Sequence, residues 1–231
     1  MRVIVTRARA DAERTAAALR ARGHEPLLSP VLAIVRTGAA VHPGQAQALV
    51  ATSAHAFEAI SADEASSLAH LPLFVVGART AEAAERAGLA APRLTAAQVS
   101  GLAAQMGPAL PTGATLLYLA GRDRKPDLEE ALAEQGFEIA AAIVYEAQAQ
   151  QDLSQGVAAA LRRGEAQAVL HFSRRSARLF LDAAARAGLH EAAARLRHVC
   201  ISQDAAAPVG AAARVARTPD SAGLLGALEE I

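Results

Sequence analysis

One cysteine, two tyrosines, no tryptophan and no asparagine stand among 231 residues, and the shortages of cysteine and of aromatic residues close off classes of function. Cys200 has no second thiol to meet, so an intrachain disulfide and a cysteine-rich zinc site are excluded; it reads as a small apolar strand residue. Aromatic residues make up 3% of the chain, leaving little stacking surface for single-stranded nucleic acid. The 23 Lys and Arg residues balance 23 Asp and Glu residues, so no global field draws in a polyanion and charge recognition has to be local. No uncharged apolar run approaches the ~20 residues of a membrane span, and no membrane association is expected. Met1-Arg2-Val3 leads straight into a strand without a basic-then-apolar leader, so no signal peptide and a cytoplasmic location are expected. Lys125 is the only lysine, a bias that fits a GC-rich genome more than a function.

Familiar catalytic motifs are missing too. There is no G-x-S-x-G, no phosphate-binding P-loop and no H-E-x-x-H. Gly77-Ala-Arg-Thr80 is not a dinucleotide fingerprint. The histidines (His24, His42, His55, His70, His171, His190 and His198) are scattered without metal-ligand spacing. His171 and His198 fall on or beside strands and read as hydrogen-bonded structural groups; only His55, at a helix start beside Ser53, is placed near a site.

What the chain does have is a recurring seam, in which a short apolar strand runs into Ser, Thr or Gly and then opens a helix. It occurs at Val3–Thr6, Val50–Ser53, Phe74–Gly77, Leu116–Gly121, Val169–Ser173 and Val199–Ser202. Small polar residues there leave helix N-terminal N–H groups free to meet an anion. The seams come in pairs. Val3–Val5, a helix over about Ala10–Arg22, Gly23 and a return strand at Pro26–Leu28 match Leu116–Leu119, a helix over Pro126–Glu134, Gly136 and Phe137–Ile139. Both copies carry Leu-x-x-x-Gly before the return and arginines after the first strand. Thr52-Ser53 pairs with Phe172-Ser173, and Val76-Gly77 before a helix at Thr80–Ala87 pairs with Ile201-Ser202 before one at Ala205–Ala213. Ser100-Gly101-Leu102 pairs with Ala222-Gly223-Leu224. The chain therefore reads as a duplicated set of βα units.

The order of these units predicts one α/β domain inserted in another. The outer domain comprises 1–35 and 149–231, the inner one 46–140. Crossings at 30–45 and 141–148 read as paired extended strands. Strands alternating with helices of ten to fifteen residues predict parallel sheets covered on both faces, with ligands at the carboxyl ends of the strands. Two lobes with their seams facing across a cleft are the expected geometry.

The candidate site residues follow from this placement. Thr6, Ser53, Ser173 and Ser202 read equally as helix caps or as anion contacts. Gly77, Thr80 and Gly121 line strand ends. Arg7, Arg9, Arg79, Arg122, Arg124, Lys125, Arg174 and Arg175 all fall within a few residues of one. Arginine is the planar, bidentate partner of carboxylates, although an isolated one is ordinarily a solvated surface charge. Tyr145, on the second crossing, reads either as a buried phenol tied to backbone or as a proton donor to a leaving group. Tyr118 lies inside a strand and reads as core.

At these residues the whole chain resembles the uroporphyrinogen-III synthase family. The likeness rests on Val5-Thr6-Arg7 with Leu19-x-x-x-Gly23 and Pro30, the Thr52-Ser53 turn, and Val76-Gly77-x-x-Thr80-Ala81. It continues through Gly121 to Leu128, the Leu132-x-x-x-Gly136 return, Val144-Tyr145, Phe172-Ser173 and Cys200-Ile201-Ser202. The resemblance implies two α/β lobes joined by a two-stranded linker, without metal or cofactor. It implies closure of hydroxymethylbilane, a linear tetrapyrrole with eight carboxylates, into uroporphyrinogen III. Ring A loses its hydroxyl, the substituted carbon of ring D attacks to form a spiro intermediate, and rearrangement inverts ring D. Tyr145 matches the tyrosine thought to assist hydroxyl loss. Thr80 and the Ser53, Ser173 and Ser202 turns match substrate-contacting positions, and Thr6, Arg7, Gly77, Arg79, Gly121, Arg122 and Lys125 are expected to bind substrate from their place at the strand ends. A monomer receiving the bilane in a transient hand-over from hydroxymethylbilane synthase is expected. Two departures stand out: Ser202-Gln-Asp204 lacks a Thr found in the family, where an inward Asp204 would repel a carboxylate, and His55 stands at a variable position.

Two readings compete with the enzyme: a non-catalytic two-lobed module binding a small anion or tetrapyrrole, and a degenerate synthase attached to a regulator. Tyr145 and the order of units favour the enzyme.

Overall fold

The computed structural model of the protein describes residues 1–230. In chain order its elements are β1 (Arg2–Val5), α1 (Arg9–Arg20), β2 (Glu25–Leu28), β3 (Leu32–Arg36), β4 (Ala48–Ala51), α2 (Ala54–Glu58), α3 (Ala62–Leu68), β5 (Leu73–Val76), α4 (Ala78–Arg86), β6 (Leu94–Ala96) and α5 (Val99–Met106). There follow β7 (Thr115–Gly121), α6 (Asp127–Glu134), β8 (Glu138–Ala149), α7 (Gln155–Arg162), β9 (Ala168–His171), α8 (Arg174–Arg186), α9 (His190–Ala194), β10 (Arg197–Cys200), α10 (Gln203–Ala206), β11 (Ala213–Val215) and α11 (Ser221–Glu229).

The chain forms two compact units. The first takes Met1–Ala33 and Gln148 onward; the second takes Ile34–Ala147. Both passages between them fall inside strands, within β3 and within β8. Thr37 N–H donates to the Val144 carbonyl at 3.1 Å and Gln150 N–H to the Val31 carbonyl at 2.9 Å, so β3 and β8 run antiparallel. Continuity of β8 differs from the sequence reading, which separated a return strand at Phe137–Ile139 from a crossing at 141–148. Ile139-Ala-Ala-Ala-Ile143 contains no Gly or Pro to break the strand, and its edge is paired to β7 throughout.

The first unit's sheet has the order β11-β10-β9-β1-β2, with every pairing parallel. Successive residues go to opposite faces. Val3, Val5, Leu170 and Val199 pack under α1 and α11, while Ile4 and Val169 pack under α7, α8 and α9. The second unit's sheet has the order β3-β8-β7-β4-β5-β6 and is parallel from β8 to β6. Leu49, Val75 and Leu119 face α2, α3 and α4; Val50, Phe74 and Leu116 face α5 and α6. Buried alanines such as Ala12, Ala16, Ala83 and Ala84 let helices lie close on the sheets.

The internal duplication has a topological form. Counting from β1, the first sheet orders its strands second, first, third, fourth, fifth. The second sheet gives the same order when counted from β7, with β8 as its second strand and β4, β5 and β6 as third to fifth. The paired seams therefore occupy equivalent strands. The Leu-x-x-x-Gly returns also close alike: His24 N–H donates to Leu19 O at 3.0 Å, and Phe137 N–H to Leu132 O at 3.2 Å. In this order the strand sequence reverses between β1 and β9 and between β4 and β7, the positions where doubly wound sheets open a crevice at their carboxyl edge.

One expected element is shorter than its reading. A helix over Ala205–Ala213 is replaced by α10, which ends at Ala206, and by strand β11. Pro208 lacks an N–H for the helix ladder, and Gly210, at φ +77°, leaves helical backbone altogether.

Candidate functional site at the strand ends

In the second unit, the reversal between β4 and β7 brings together Thr52, Ser53, Gly121 and Arg122, and β8 adds Tyr145. The ladder between β7 and β8 skips a residue: Ala120 pairs with Ile143, and Gly121 with Tyr145. This bulge turns Tyr145 onto Gly121. A β-carbon on residue 121 would lie 2.5 Å from Tyr145 Cζ and 2.8 Å from its hydroxyl oxygen, so only glycine leaves room for the phenol. Tyr145 is half-buried and packs against the core under α2 and α4. Arg122 N–H donates to the Tyr145 carbonyl at 2.9 Å, and Arg122 Nε donates to Glu146 Oε2 at 2.6 Å. Gly121→Ala is expected to destabilise the fold by about 1–3 kcal/mol through overpacking and to reduce turnover at least tenfold. A urea midpoint and a product assay on the same preparation check both; wild-type values would show that the ring relocates at no cost.

Neighbouring groups are committed to one another. Thr52 Oγ1 and the Tyr118 hydroxyl lie 3.0 Å apart, and burial pushes the Tyr118 phenol above its ordinary pKa. Ser53 caps α2 by accepting from His55 N–H at 3.3 Å. His55 Nδ1 sits 2.7 Å from Glu58 Oε2, and its ring meets Tyr145 edge-on with centroids 5.8 Å apart. Gly77 follows β5 with φ +85°, a conformation that other residues adopt with strain, and its carbonyl accepts from Thr80 N–H at 3.0 Å. Thr80 is buried in the first turn of α4, whereas Arg79 beside it is exposed.

The first unit presents Thr6, Ser173 and Ser202 at one edge of its sheet. Thr6 is completely buried; its hydroxyl donates to Leu170 O at 2.8 Å and its carbonyl accepts from Val31 N–H at 3.1 Å. Its side chain ties β1 to β9 and is closed to a ligand. Arg7 Cζ lies 4.3 Å above the Phe172 ring and its guanidinium is 3.4 Å from Asp11, so it is held in place beside the reversal. Ser173 caps α8, accepting from Ser176 N–H at 3.0 Å while Ser176 Oγ accepts from Ser173 N–H at 3.1 Å. Ser173→Ala should cost about 0.5–2 kcal/mol of stability. A change in thermal midpoint checks this, and an unchanged midpoint would release Ser173 from its cap. Ser202 caps α10, accepting from Ala205 N–H at 3.3 Å.

Charge placement refines the sequence reading. Among the strand-end cations, Arg7 pairs with Asp11, Arg9 with Glu13, Arg122 with Glu146, Arg124 with Glu129 and Arg174 with Asp204. The 2.8 Å pair with Arg174 answers the question posed by Asp204: its charge is matched. Lys125 is exposed and makes no ion pair among the described residues. Helix dipoles are also unequal. Ser53 and Ser202 head helices of 5 and 4 residues, too short to align many peptide dipoles, whereas α8 has 13 residues and α4 has 9.

Three partners escaped the sequence reading: Glu58 behind His55, Glu146 behind Arg122, and Thr52 on Tyr118. Glu58 was legible from its i,i+3 spacing to His55. The other two depend on strand register.

Two doubly wound α/β units with polar strand ends, one of them carrying a phenol seated on a glycine, define the structural class. The chain belongs to the uroporphyrinogen-III synthase family: the model of uroporphyrinogen-III synthase HemD matches residues 13–226. That family comprises lyases of heme biosynthesis acting on a small tetrapyrrole. Uroporphyrinogen-III synthetase from Helicobacter pylori 26695 has the same fold, with TM-score 0.65 and 18% identity over 98% of this chain and 97% of that one. A mutant uroporphyrinogen III synthase from the extremely thermophilic bacterium Thermus thermophilus matches with TM-score 0.53 and 21% identity over 99% and 97%. No curated protein matches the chain.

Proposed function

We propose that this chain converts hydroxymethylbilane to uroporphyrinogen III, with Tyr145 as the proton donor to the departing ring A hydroxyl. The observation that carries the reading is the phenol held at the carboxyl edge of β7 by the bulge and by Gly121. Protonation turns the hydroxyl into water as the C–O bond breaks. The substituted carbon of ring D then bonds to the resulting cationic carbon, fragmentation and recombination of the spiro intermediate invert ring D, and loss of the proton from the newly bonded ring D carbon restores the pyrrole and balances the proton given by Tyr145. The family match supports this chemistry.

Within this reading Arg7, Ser53, Gly77, Arg79, Thr80, Gly121, Arg122, Lys125, Ser173 and Ser202 serve the substrate. Thr6 acts only by holding β1 to β9. Unpaired Lys125 is the cation most open to a propionate or acetate group. Most other arginines have a carboxylate partner that a substrate carboxylate would replace, an exchange that limits their net contribution but keeps them oriented. The free bilane closes unaided to the wrong isomer, so the protein's contribution is chiefly conformational.

The same lability supports direct hand-over from hydroxymethylbilane synthase within the cytoplasm. Bacterial origin is supported by the organisms of both structural relatives. A monomer is supported by the surface, where Met1 is the only exposed large hydrophobic residue among the described ones. No helix among the described residues is long and apolar enough to cross a membrane. The deciding assay supplies freshly made bilane and separates the oxidised products. Isomer III in excess is expected; isomer I alone, at the uncatalysed rate, would refute the reading.

A further inference from the structure

We infer that His55 is the positioning residue for Tyr145: its imidazole, anchored by Glu58, holds the phenol in the orientation from which it donates. The inference rests on the proposed role of Tyr145. His55 lies on the first turn of α2, one residue beyond the Ser53–Ala54 corner, and Tyr145 lies on β8. Their rings meet at 64° with centroids 5.8 Å apart, an edge-to-face contact. The His55 side chain is 14% exposed and that of Glu58 41%, so the imidazole sits inward while the carboxylate behind it reaches water. The 2.7 Å contact from Glu58 Oε2 to Nδ1 fixes the ring's rotation and assigns a proton to Nδ1.

Tyr145 needs such a neighbour. Gly121 makes room for the outer end of the ring, and the core under α2 and α4 packs against it. Arg122 N–H holds the Tyr145 backbone, not its ring. A phenol free to swing about Cα–Cβ would lose the alignment that proton transfer requires, and a misplacement of about 1 Å costs up to 10²-fold in rate. The imidazole edge adds a directional restraint from a different element. An aromatic ring at position 55 would supply it as well, because the contact is ring against ring.

The chain's two tyrosines make the test direct. Protein grown with 3-fluorotyrosine gives one fluorine resonance each for Tyr118 and Tyr145, assigned by loss of one line in Tyr145→Phe. His55→Ala should shift or narrow the Tyr145 line and leave the Tyr118 line in place. It should lower kcat about tenfold with KM within twofold, and His55→Phe should recover most of both effects. In the Tyr145→Phe background His55→Ala should cause no further loss of kcat. An unmoved Tyr145 resonance in His55→Ala, or an undiminished kcat loss in the Tyr145→Phe background, overturns the inference. A moved resonance together with normal turnover by Tyr145→Phe instead overturns the catalytic reading of Tyr145 and leaves the positioning contact standing.

Discussion

Tyr145→Phe is expected to lower kcat about a hundredfold or more, the scale on which a positioned general acid acts, with KM and fold unchanged. The substitution removes one oxygen and keeps the ring, so the packing against Gly121 and His55 survives. The phenol is half-buried at a strand end, so losing its hydroxyl does not break a buried network. A loss in kcat alone therefore points to an interaction made when the C–O bond breaks. The product mixture adds a second reading: as the enzymatic rate drops, unaided closure competes and isomer I rises. Unchanged kinetics would take Tyr145 out of the mechanism.

The second large effect is on stability in acid. His171 is completely buried at the end of β9 and His198 lies beside it on β10, with rings stacked 5.2 Å apart. His198 Nε2 donates to Ala193 O at 2.9 Å, so its Nδ1 accepts from His171 Nε2 at 3.0 Å. His171 Nδ1 is then left as a buried acceptor with no partner. Burial first, and the adjacent His198 second, hold the His171 pKa down to about 3; burial likewise lowers that of His198. Both rings are neutral in the native state and titrate near 6.5 once unfolded. Below that value the unfolded chain binds more protons than the native one. Stability is therefore complete above about pH 6.5 and falls as pH drops toward 3, by up to about 1.4 kcal/mol per pH unit from His171, with a further loss in the same direction from His198. A loss of about 2–3 kcal/mol by pH 4.5 from His171 alone compares with a total of about 5–15 kcal/mol for a domain. Carboxylates with lowered values, such as Glu64 in its capping box, add to the loss only below about pH 4.5.

A selective probe exists for the unit concerned. Both tyrosines lie in the second unit, but Cys200 lies on β10 in the first, fully buried and with its thiol pushed up to about 11. Labelling by a pyridyl disulfide, which reacts in acid, should begin at clearly lower urea at pH 5 than at pH 7. His171→Leu should flatten that difference by about half, at some cost in stability at pH 7 from the unpartnered His198 Nδ1. Equal labelling curves at the two pH values in the wild-type chain would show that the pair does not govern stability.

Much of this architecture is written locally. Apolar residues in short runs, a capping Ser or Thr, and Leu-x-x-x-Gly at the returns place the paired βα units and their seams. The pairing of Gly121 with Tyr145 is not written locally: it needs the bulge between β7 and β8, and two residues 24 positions apart carry no mutual signal in the chain. Thr6 illustrates the reverse error. Its place after a strand resembles that of Ser53, but its hydroxyl is taken up by the Leu170 carbonyl on the neighbouring strand β9, a contact 164 residues away along the chain. A helix over Ala205–Ala213 follows from the alanine run only if Pro208 is given too little weight.

By itself the sequence determined the alternation of strands and helices, the duplication, and the absence of metal motifs and membrane spans, because hydrophobic period, capping and turn chemistry act over a few residues. Only the tertiary structure decided which strand ends stand side by side, which arginines have carboxylate partners, and that a glycine, an imidazole and a phenol converge. Those outcomes depend on strand order and register, where one residue of slip exchanges the faces of a sheet.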